Sequence, residues 1–531
     1  MLDGPPTTDV DPDGRPPQPV AVIDIGATSV RMAIAQLRTD GGVRILENLS
    51  QAISLGKDSF IKGRLERATI EDCVRVMQIY AKKLTEYQIG RDEVRIVGTS
   101  AVREAANRLA FLDRLYIATG FDIEPFDEAE LHRVTYLAVK PALERQPELS
   151  QKPVVVCEIG GGSTEVLGLV NDSIEFSQTY RLGSLRLRRT LEAYHAPTQR
   201  IRDIMEREIE KTANQIREHF ATFDNREFVT MGSDMRFLGS LLRPGENFRV
   251  PVRLEMDEVD EVIDQLVGLS VDALVHRHHL SLPDAESLAP ALLAYQHIAQ
   301  ALGVTHLWVA SANIRDGLLR DMWMRKTRSA EFTQQVTQSA LDLAERFHVD
   351  LDHAKHVAHL CRSLFAELKA VHQLESQFEL LLVVAALLHE VGLAIGHRSF
   401  HKHSMYIIAN SEVFGVGKHE LRVISLVARY HRRASPQPVH AGYAELDREQ
   451  RVVVSKMAAL LRIAKALDDS RNQRIHEIDV EVRPDNVVIQ IPGVEDLALE
   501  KIALQQQGTL FEEVFGKRVV LRARPAQRST Y

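Results

Sequence analysis

Apolar and polar positions divide the 531-residue chain into regions with different periodicities. From Val20 to about Gln36, two apolar runs with near alternation flank the turn IGATS, a pattern that predicts strand, turn and strand. The same order returns after Pro153, where VVVCEI precedes the turn GGGST and another apolar run. Helical and extended patterns alternate between and after these segments. Such alternation predicts an α/β architecture.

The pattern becomes mainly helical beyond about Lys326 and alternates again after about Arg474. The longest apolar run, Leu380–Leu388, is too short for a membrane-spanning helix, which needs about 20 residues, so we predict a buried core helix there. The predicted organisation is a disordered tail (1–18), a first α/β lobe (19–140), a second, related lobe (141–325), a helical domain (326–475) and a small C-terminal α/β cap (476–531).

Composition and charge narrow the class of protein. A content of 45% hydrophobic and 26% charged residues is that of an ordinary globular protein. The net charge of −8 argues against a nucleic-acid partner, but it does not exclude an anionic substrate, because local fields govern a cleft. Three well-separated cysteines are typical of reduced core residues, and the N-terminus lacks the pattern of a signal peptide. We predict a cytoplasmic protein with no membrane partner.

Each of the two repeated turns follows a strand that ends in a carboxylate, Asp24 in the first and Glu158 in the second. Glycine permits close approach, and successive backbone N–H groups in such a turn form a nest that binds anions. A carboxylate does not bind phosphate itself, and its natural partner is a divalent cation that bridges to phosphate oxygens. Two facing turns would therefore grip a phosphate chain through N–H groups and Mg²⁺. The simpler alternative is that each turn only closes a tight β-hairpin, although the repetition and the three glycines of GGGST disfavour it.

Further motifs make this pattern specific. The turns IDIGATS and IGGGSTE resemble the two phosphate loops of the actin, sugar-kinase and heat-shock-chaperone superfamily. They are accompanied by GTSAVREA at Gly98–Ala105, DEA at Asp127–Ala129, MGSDMRFLG at Met231–Gly239 and SANIRDGLL at Ser311–Leu319. In this order the motifs resemble the exopolyphosphatase / guanosine-pentaphosphate phosphatase (Ppx/GppA) family over roughly residues 19 to 475. The resemblance implies two actin-like lobes around a cleft, an all-α His-Asp-like domain and a small β-rich C-terminal segment.

The resemblance also implies an activity and a set of site residues. The family removes the terminal phosphate from inorganic polyphosphate, our first expected substrate, or from guanosine pentaphosphate, with Mg²⁺ or Mn²⁺ as expected cofactor and a homodimer as expected assembly. The family's catalytic glutamate matches Glu128, the expected general base, although spacing alone would make it a solvated acid at a helix start. Arg103 and Glu165 are the other expected catalytic residues, and Asp24, Glu158 and Glu165 are the expected metal ligands. The expected phosphate-binding residues are Gly26, Ala27, Thr28, Ser29, Gly160, Gly161, Gly162, Ser163, Thr164, Gly232 and Ser233.

A long polyanion would also need a basic track beyond the cleft. The residues expected to form it are Arg181, Arg186, Arg188, Arg189, His401, His403 and Arg432. Each of these is more often part of a solvated face, and only the association with a polyanion-binding family favours the track.

Four departures from the family's pattern lie near the expected cleft. Glu158 replaces an aspartate, and Ala27-Thr28-Ser29 replaces Ser-Asn-Ser. Glu124-Pro125 and Asp234-Met235 replace Ser-Gly and Gly-Thr, and each adds a negative charge. These changes keep open a regulator that binds polyphosphate or nucleotide with weak or no turnover. A kinase or chaperone of the same superfamily is a third alternative, which the lack of paired glycines in MGSDM disfavours.

The helical region holds twelve of the 21 histidines. Its motif LLHEVG resembles the His-Asp signature of metal phosphohydrolases, with Glu390 in the aspartate's place. A working site would use His353 or His356, His389, the adjacent acid and a distant aspartate, but Lys465 stands where that aspartate is usual, and an ammonium is no metal ligand. We therefore predict a scaffold whose histidines make structural hydrogen bonds or contact a polyanion. The histidines in question are His389, His397, His401, His403 and His431.

Overall fold

The computed structural model describes residues 19–38, 42–150, 152–171, 173–193, 201–221, 223, 225–327, 330–411, 413–432, 434–494 and 496–524. The chain divides into two compact units, Met1–Thr327 and Arg328–Tyr531. This division lies two residues from the predicted border at 325/326, and the finer domain borders stay predictions.

The first half of the first unit is a five-stranded sheet with helices. Its elements are β1 (Pro19–Ile25), β2 (Ser29–Leu37), β3 (Val43–Ala52), α1 (Leu55–Lys62), α2 (Arg67–Glu86), β4 (Val94–Gly98), α3 (Ser100–Glu104), α4 (Arg108–Thr119), β5 (Glu124–Pro125) and α5 (Glu128–Glu144). The strand order is β3-β2-β1-β4-β5, with β1 antiparallel to β2 and parallel to β4. After its first residue β1 is buried throughout, as its near-continuous apolar run requires of a central strand.

The second half repeats this arrangement. Its elements are β6 (Val154–Ile159), β7 (Thr164–Val170), β8 (Ser173–Tyr180), α6 (Ser184–Ala193), α7 (Ile201–His219), β9 (Glu227–Thr230), α8 (Ser233–Leu242), β10 (Val252–Glu255), α9 (Met256–Val267), α10 (Val271–His278), α11 (Leu282–Leu302), β11 (His306–Val309) and α12 (Ile314–Thr327). The strand order is β10-β11-β9-β6-β7-β8. Strands β6 to β9 thus have the order and directions of β1 to β4. The predicted α/β architecture with two related lobes is confirmed.

A buried ion-pair network joins α5 to α12. The Arg133 side chain is 3% exposed; its Nη1 donates to Asp321 Oδ1 at 2.6 Å and its Nε to Glu130 Oε2 at 2.9 Å. Removing one partner of such a network leaves an uncompensated buried charge, which typically costs about 3–5 kcal/mol. The network therefore fixes α5, whose first turn carries the predicted catalytic glutamate.

The second unit is mainly helical. Its elements are α13 (Ala330–Arg346), α14 (Leu351–Glu367), α15 (Lys369–His372), α16 (Gln377–Leu388), a 3₁₀ turn (Val391–Ala394), α17 (Phe400–Ala409), α18 (Lys418–Arg429), α19 (Arg448–Leu467), β12 (Asp479–Val482), β13 (Asn486–Pro492), α20 (Ala498–Gln507), α21 (Thr509–Phe515) and β14 (Arg518–Arg524). The three strands form one small sheet in the order β12-β13-β14.

Helix α16 is the predicted core helix. Its residues from Leu381 to Leu388 are all buried. Within the described residues, the segment Gln377–Ala394 passes a test of length and apolar composition for a membrane span, but 67% of it is buried in the protein. A core helix passes the same test, so this segment is weak evidence for a span. The prediction of reduced core cysteines is also confirmed, since Cys73, Cys157 and Cys361 are all buried and free.

Candidate active site

The two repeated turns have the same backbone geometry. In the first, Gly26 N–H donates to Ser29 O at 2.9 Å, and in the second, Gly160 N–H donates to Ser163 O at 2.8 Å. Each turn also accepts a hydrogen bond from the first helix that follows it in the chain. Gly56 N–H in α1 donates to Ala27 O, and Arg186 N–H in α6 donates to Gly161 O. The sequence similarity of the turns is therefore a similarity of hydrogen bonding.

The second turn packs closely against the first turn and against α1 and α3 of the first lobe. A Cβ on Gly161 would lie 3.1 Å from the Ala27 Cβ. A Cβ on Gly162 would collide with the Phe60 ring of α1 and would lie 2.6 Å from Ser100 Oγ. Glycine at position 162 is thus required by close approach across the two lobes. The two turns are therefore in contact.

Each turn is preceded by an acid, which is buried in the first turn (Asp24) and half-buried in the second (Glu158), and the register of the hairpin gives each acid a partner on the next strand. Asp24 on β1 pairs with Arg31 on β2, and Glu158 on β6 pairs with Glu165 on β7. Asp24 is 7% exposed and Glu165 is 6% exposed. The first turn therefore has a carboxylate facing an arginine, whereas the second has two carboxyl groups facing each other.

Burial dominates the protonation of these carboxyls. It raises the pKa of Asp24 and of Glu158, in each case against the charges of neighbouring arginines. It raises the pKa of Glu165 to about 7, although the Ser163 hydroxyl donates to Glu165 Oε1 at 2.6 Å and opposes the rise. A carboxyl with this pKa exchanges its proton near neutral pH, as acid–base catalysis requires.

Three arginines that the sequence analysis did not single out complete this cluster: Arg31, Arg236 on α8 and Arg315 on α12. Arg315 Nη1 lies 3.6 Å from Asp24 Oδ2. The charges of all three arginines act on the pKa of Glu158. Among the described residues, the buried Nη1 atoms of Arg236 and Arg315 have no hydrogen-bond partner, and neither has Asp24 Oδ1. The motifs MGSDMRFLG and SANIRDGLL contained the only sequence signal for Arg236 and Arg315.

The start of α8 lies beside the second turn. Gly232 has φ +99° and precedes the helix, which begins at the exposed Ser233. The Tyr295 hydroxyl accepts from Ile159 N–H at 2.8 Å and donates to Met231 O at 2.6 Å. Tyr295 therefore couples the start of the second turn to the end of β9, and so positions Gly232 and Ser233 relative to the turn. Of the other predicted phosphate ligands, Thr164 donates its hydroxyl to the carbonyl of Leu182.

The predicted base lies at the first turn of α5. Glu128 is exposed and is the first helical residue, and the preceding Asp127 caps the helix by accepting from Glu130 N–H at 2.8 Å. Arg103 connects this segment to the second turn: its Nη1 donates to Phe126 O at 3.2 Å. Its charge is also one of those that act on the pKa of Glu165, where burial has the largest effect. Glu128, Arg103 and Glu165 thus belong to neighbouring parts of one region.

Comparison with known proteins identifies the family. The profile of the Ppx/GppA phosphatase family matches residues 18–326, more than half of the chain. The chain belongs to the Ppx/GppA phosphatase family. The profile of Ppx/GppA phosphatase domain III matches residues 336–510. The predicted family and the prediction of a phosphoanhydride hydrolase are both confirmed at this level.

Two relatives that match this chain over most of its length carry the same enzyme name. The guanosine-5'-triphosphate,3'-diphosphate pyrophosphatase of Pseudoalteromonas atlantica is 22% identical over 87% of this chain and 89% of that protein. The enzyme of the same name from Photobacterium profundum is 24% identical over 92% and 95%, respectively. A solved exopolyphosphatase from Cytophaga hutchinsonii is 19% identical and has a TM-score of 0.53 over 58% of this chain and 98% of that one. This last likeness shows the fold alone.

Two departures from the Ppx/GppA pattern, Glu124 and Asp234, add negative charges that would repel phosphate. Glu124 is exposed and pairs with Arg95, whose Nη2 lies 3.1 Å from Glu124 Oε2. Asp234 is buried, and burial together with the charge of Asp284 raises its pKa to about 7. One charge is therefore compensated, and the other is reduced by protonation at and below neutral pH.

The expected basic track of the Ppx/GppA family is engaged in internal contacts in the first unit. Arg186 donates to both Glu104 carboxylate oxygens and to Gly162 O, and its guanidinium lies 4.4 Å from the centre of the Phe60 ring. Arg181 also pairs with Glu104, at 3.3 Å, and Arg188 donates to Glu286 O. The side chain of Arg189 lies outside the described residues.

The remaining track residues lie in the second unit. His401 and His403 are half-buried, whereas Arg432 is exposed and its guanidinium lies 4.9 Å from the centre of the Phe400 ring. A polyanion track through these residues stays a prediction.

Proposed function

We propose that this chain hydrolyses the terminal phosphoanhydride of guanosine pentaphosphate or of inorganic polyphosphate, and we place guanosine pentaphosphate first. The main support for hydrolase activity is the cluster of acids and arginines around the two turns. The names of two relatives that align over most of the chain support the choice of substrate, which the sequence analysis had ranked second.

The arginines supply the affinity for phosphate in this proposal. Arg236 and Arg315 each have a buried N–H-bearing Nη1 atom with no hydrogen-bond partner among the described residues. Guanidinium groups bind phosphate oxygens strongly because both partners are charged. The backbone N–H groups of the two turns would bind the same phosphates, and together these groups stabilise the charge that develops as the terminal phosphoryl leaves.

The acids divide the remaining work. We assign proton acceptance from the attacking water to Glu128, which is exposed to solvent at the first turn of α5. We assign the orientation of that water to Glu165, which is fixed by the Ser163 hydroxyl. Because its pKa is raised to about 7 by burial, Glu165 is a competing choice for the base.

The donor types at the two turns suit a hard divalent cation, although among the described residues only the group of His353, His389 and Glu390 gathers its ligand atoms within 4.8 Å. Asp24, Glu158 and Glu165 offer only oxygen donors, and the buried Asp24 Oδ1 has no hydrogen-bond partner among the described residues. Oxygen donors are the ligands that Mg²⁺ and Mn²⁺ prefer. When bound, such an ion would neutralise charge on the phosphoryl oxygens. The homodimer, the cytoplasmic location and the absence of nucleic-acid and membrane partners stay predictions.

The first experiment measures phosphate release from each substrate with Mg²⁺, for the wild type, Glu128→Gln and Glu144→Gln. Glu144 is a matched control because it is an exposed acid at the other end of the same helix. We expect Glu128→Gln to lower kcat about 100-fold or more and Glu144→Gln to leave it unchanged. Equal rates for all three proteins would contradict the assignment of Glu128, and no release from either substrate would contradict the hydrolase.

A binding protein with weak turnover is the second candidate. The departures from the family's pattern at the turns favour it, because Glu158 stands where the family has an aspartate and Asp234 adds a carboxyl group at the start of α8. Saturable binding of guanosine pentaphosphate without phosphate release would establish this alternative.

A further inference from the structure

The second unit contains a cluster of fully buried histidines. His353 on α14, His389 after α16 and His431 after α18 are 1%, 0% and 0% exposed. The ring centres of His353 and His389 lie 5.7 Å apart, and those of His389 and His431 lie 5.0 Å apart. Three elements distant in sequence therefore bring their imidazoles to one place in the core.

Hydrogen bonding fixes the tautomer of all three rings. His353 Nδ1 lies 2.7 Å from Asp468 Oδ2, and His389 Nδ1 lies 2.7 Å from Ala386 O. His431 Nδ1 makes the same bond to the carbonyl of Ala428. Carboxylate and carbonyl oxygens only accept, so each Nδ1 carries the hydrogen and each neutral ring keeps a lone pair on Nε2.

These lone pairs have no partner in the protein. Within the described residues, the Nε2 atoms of His353, His389 and His431 are buried and make no hydrogen bond. Buried polar atoms are nearly always paired, so three unpaired acceptors of the same kind in one cluster call for a common partner. That partner must accept electron pairs, which a cation does.

A carboxylate completes the donor set. One ligand atom each from His353, His389 and Glu390 lie within 4.8 Å of one another, and His389 Nε2 lies 3.9 Å from Glu390 Oε1. Metal-binding histidines usually donate their second ring N–H to a carboxylate or a backbone carbonyl, which fixes ring orientation. All three rings meet this condition here.

We propose that the second unit binds one divalent transition-metal ion, of which Zn²⁺ is the first choice, through Nε2 of His353, Nε2 of His389 and the carboxylate of Glu390. Imidazole donors select Zn²⁺, Co²⁺ and related ions over Mg²⁺. The site is therefore chemically distinct from the oxygen-donor set of the first unit. It replaces our sequence-based prediction of a scaffold whose histidines make structural hydrogen bonds or contact a polyanion.

Two cations face the cluster and set its strength. Arg471 Nη2 donates to both oxygens of Glu390, at 2.8 and 2.7 Å, which draws electron density from that ligand. The charge of Lys465 acts on His389, His431 and Glu390. Lys465 thus lies near the cluster, where its ammonium repels a metal ion. Removing the Lys465 charge should tighten binding.

The experiment titrates the chelator-treated full-length protein with Co²⁺ and follows the visible d–d absorption, which reports coordination directly. Zn²⁺ bound after equilibrium dialysis is measured in parallel. To remove the oxygen-donor set, the background protein carries Asp24→Asn and Glu158→Gln. We expect one Co²⁺ per chain with nitrogen-ligand absorption, displaced by Zn²⁺. His389→Gln should weaken binding about 100-fold or more, because it deletes a ligand.

A buried histidine elsewhere in the unit supplies the control. Both ring nitrogens of His372 have partners, with Nε2 at 2.7 Å from Phe365 O and Nδ1 accepting from Leu374 N–H. His372→Gln should keep the metal site, and Lys465→Met should bind Co²⁺ about fivefold or more tightly than the background. Circular dichroism checks the fold of every variant.

Three results would overturn the proposal. They are a background protein without stoichiometric Co²⁺ absorption, equal loss of binding in His389→Gln and His372→Gln, and unchanged affinity in Lys465→Met. If His389→Gln does not fold, the Co²⁺ titration of the background protein and the Lys465→Met comparison still decide. None of these readouts depends on phosphate release.

Discussion

The two repeated turns have one backbone and two different charge arrangements. Each closes with the same glycine-to-serine hydrogen bond, at 2.9 Å in the first turn and 2.8 Å in the second. Across the hairpin, Asp24 faces Arg31, whereas Glu158 faces Glu165. The charge of Arg31 opposes the rise that burial causes in the pKa of Asp24, whereas the charge of Glu158 adds to the rise that burial causes in the pKa of Glu165. The two turns therefore share their backbone geometry and differ in the charge of the residue that faces the acid across the hairpin.

The turns also differ in the space around them. The first has Ala27 and Thr28 where the second has Gly161 and Gly162, and the Phe60 ring of α1 occupies the volume that a side chain at 162 would need. The glycines of the second turn thus result from the packing of the first lobe. Four experiments test these differences.

The largest expected effect comes from replacing each of the two cross-strand partners, Glu165 and Arg31, by glutamine. Glu165→Gln should lower kcat about 100-fold or more with little change in KM, since it removes a group that acts on the attacking water. Arg31→Gln should raise KM about tenfold and lower kcat less, because an arginine that binds phosphate acts on substrate and transition state alike. Steady-state phosphate release measures both constants. The same kcat-to-KM pattern in both variants would remove the proposed division of roles.

The packing difference predicts an asymmetric response to single methyl groups. Gly162→Ala must displace Phe60 or Ser100, so we expect a loss of about 2–3 kcal/mol of unfolding free energy. Ala27→Gly, the change in the opposite sense at the first turn, should cost about 1 kcal/mol. Urea unfolding of the two variants and the wild type makes the comparison. A loss in Gly162→Ala no larger than in Ala27→Gly would show that the turns do not press on each other as described.

The sequence predicts the repeat but not the cluster it serves. Strand, acid and glycine turn are local patterns, so the order of residues alone identifies Asp24 and Glu158. Arg236 reaches the same region from α8, and Arg315 reaches it from α12, which packs against the first sheet. This convergence depends on tertiary packing that no local spacing records. The buried histidines show the same limit: His353 and His431 lie in different helical segments, and only the helix packing of the second unit brings them to His389.

The paired acids of the second turn predict a pH-dependent stability in the absence of divalent ions. Burial raises the pKa of Glu165 from 4.5 to about 7, so the folded state holds this proton more tightly than the unfolded state. Below pH 4.5 both states are protonated and the group contributes nothing; between pH 4.5 and 7 the unfolded state ionises first, and stability falls as pH rises. Glu165→Gln cannot ionise and should be more stable than the wild type at pH 8 by on the order of 2 kcal/mol.

The advantage of Glu165→Gln should disappear below pH 4.5, where the wild-type carboxyl becomes protonated in both states. Chemical denaturation at the two pH values measures it, and Glu144→Gln is the control for loss of an acid at an exposed site. An advantage that is equal at both pH values would mean that ionisation of Glu165 does not oppose folding.

The smallest expected effect tests how the second turn is held. In the first lobe a backbone bond from Thr99 N–H to Ile25 O joins the two strand ends at the turn. In the second lobe the backbone bond runs from Met231 N–H to Cys157 O, and the Tyr295 hydroxyl additionally bridges Ile159 N–H and Met231 O. Tyr295→Phe leaves both buried backbone groups without that partner, which should cost about 1–2 kcal/mol of unfolding free energy. Because Met231 precedes Gly232, the variant should also raise KM about two- to threefold while changing kcat less. Unchanged stability together with unchanged KM would mean that the second turn keeps its geometry without the bridge, as the first turn does.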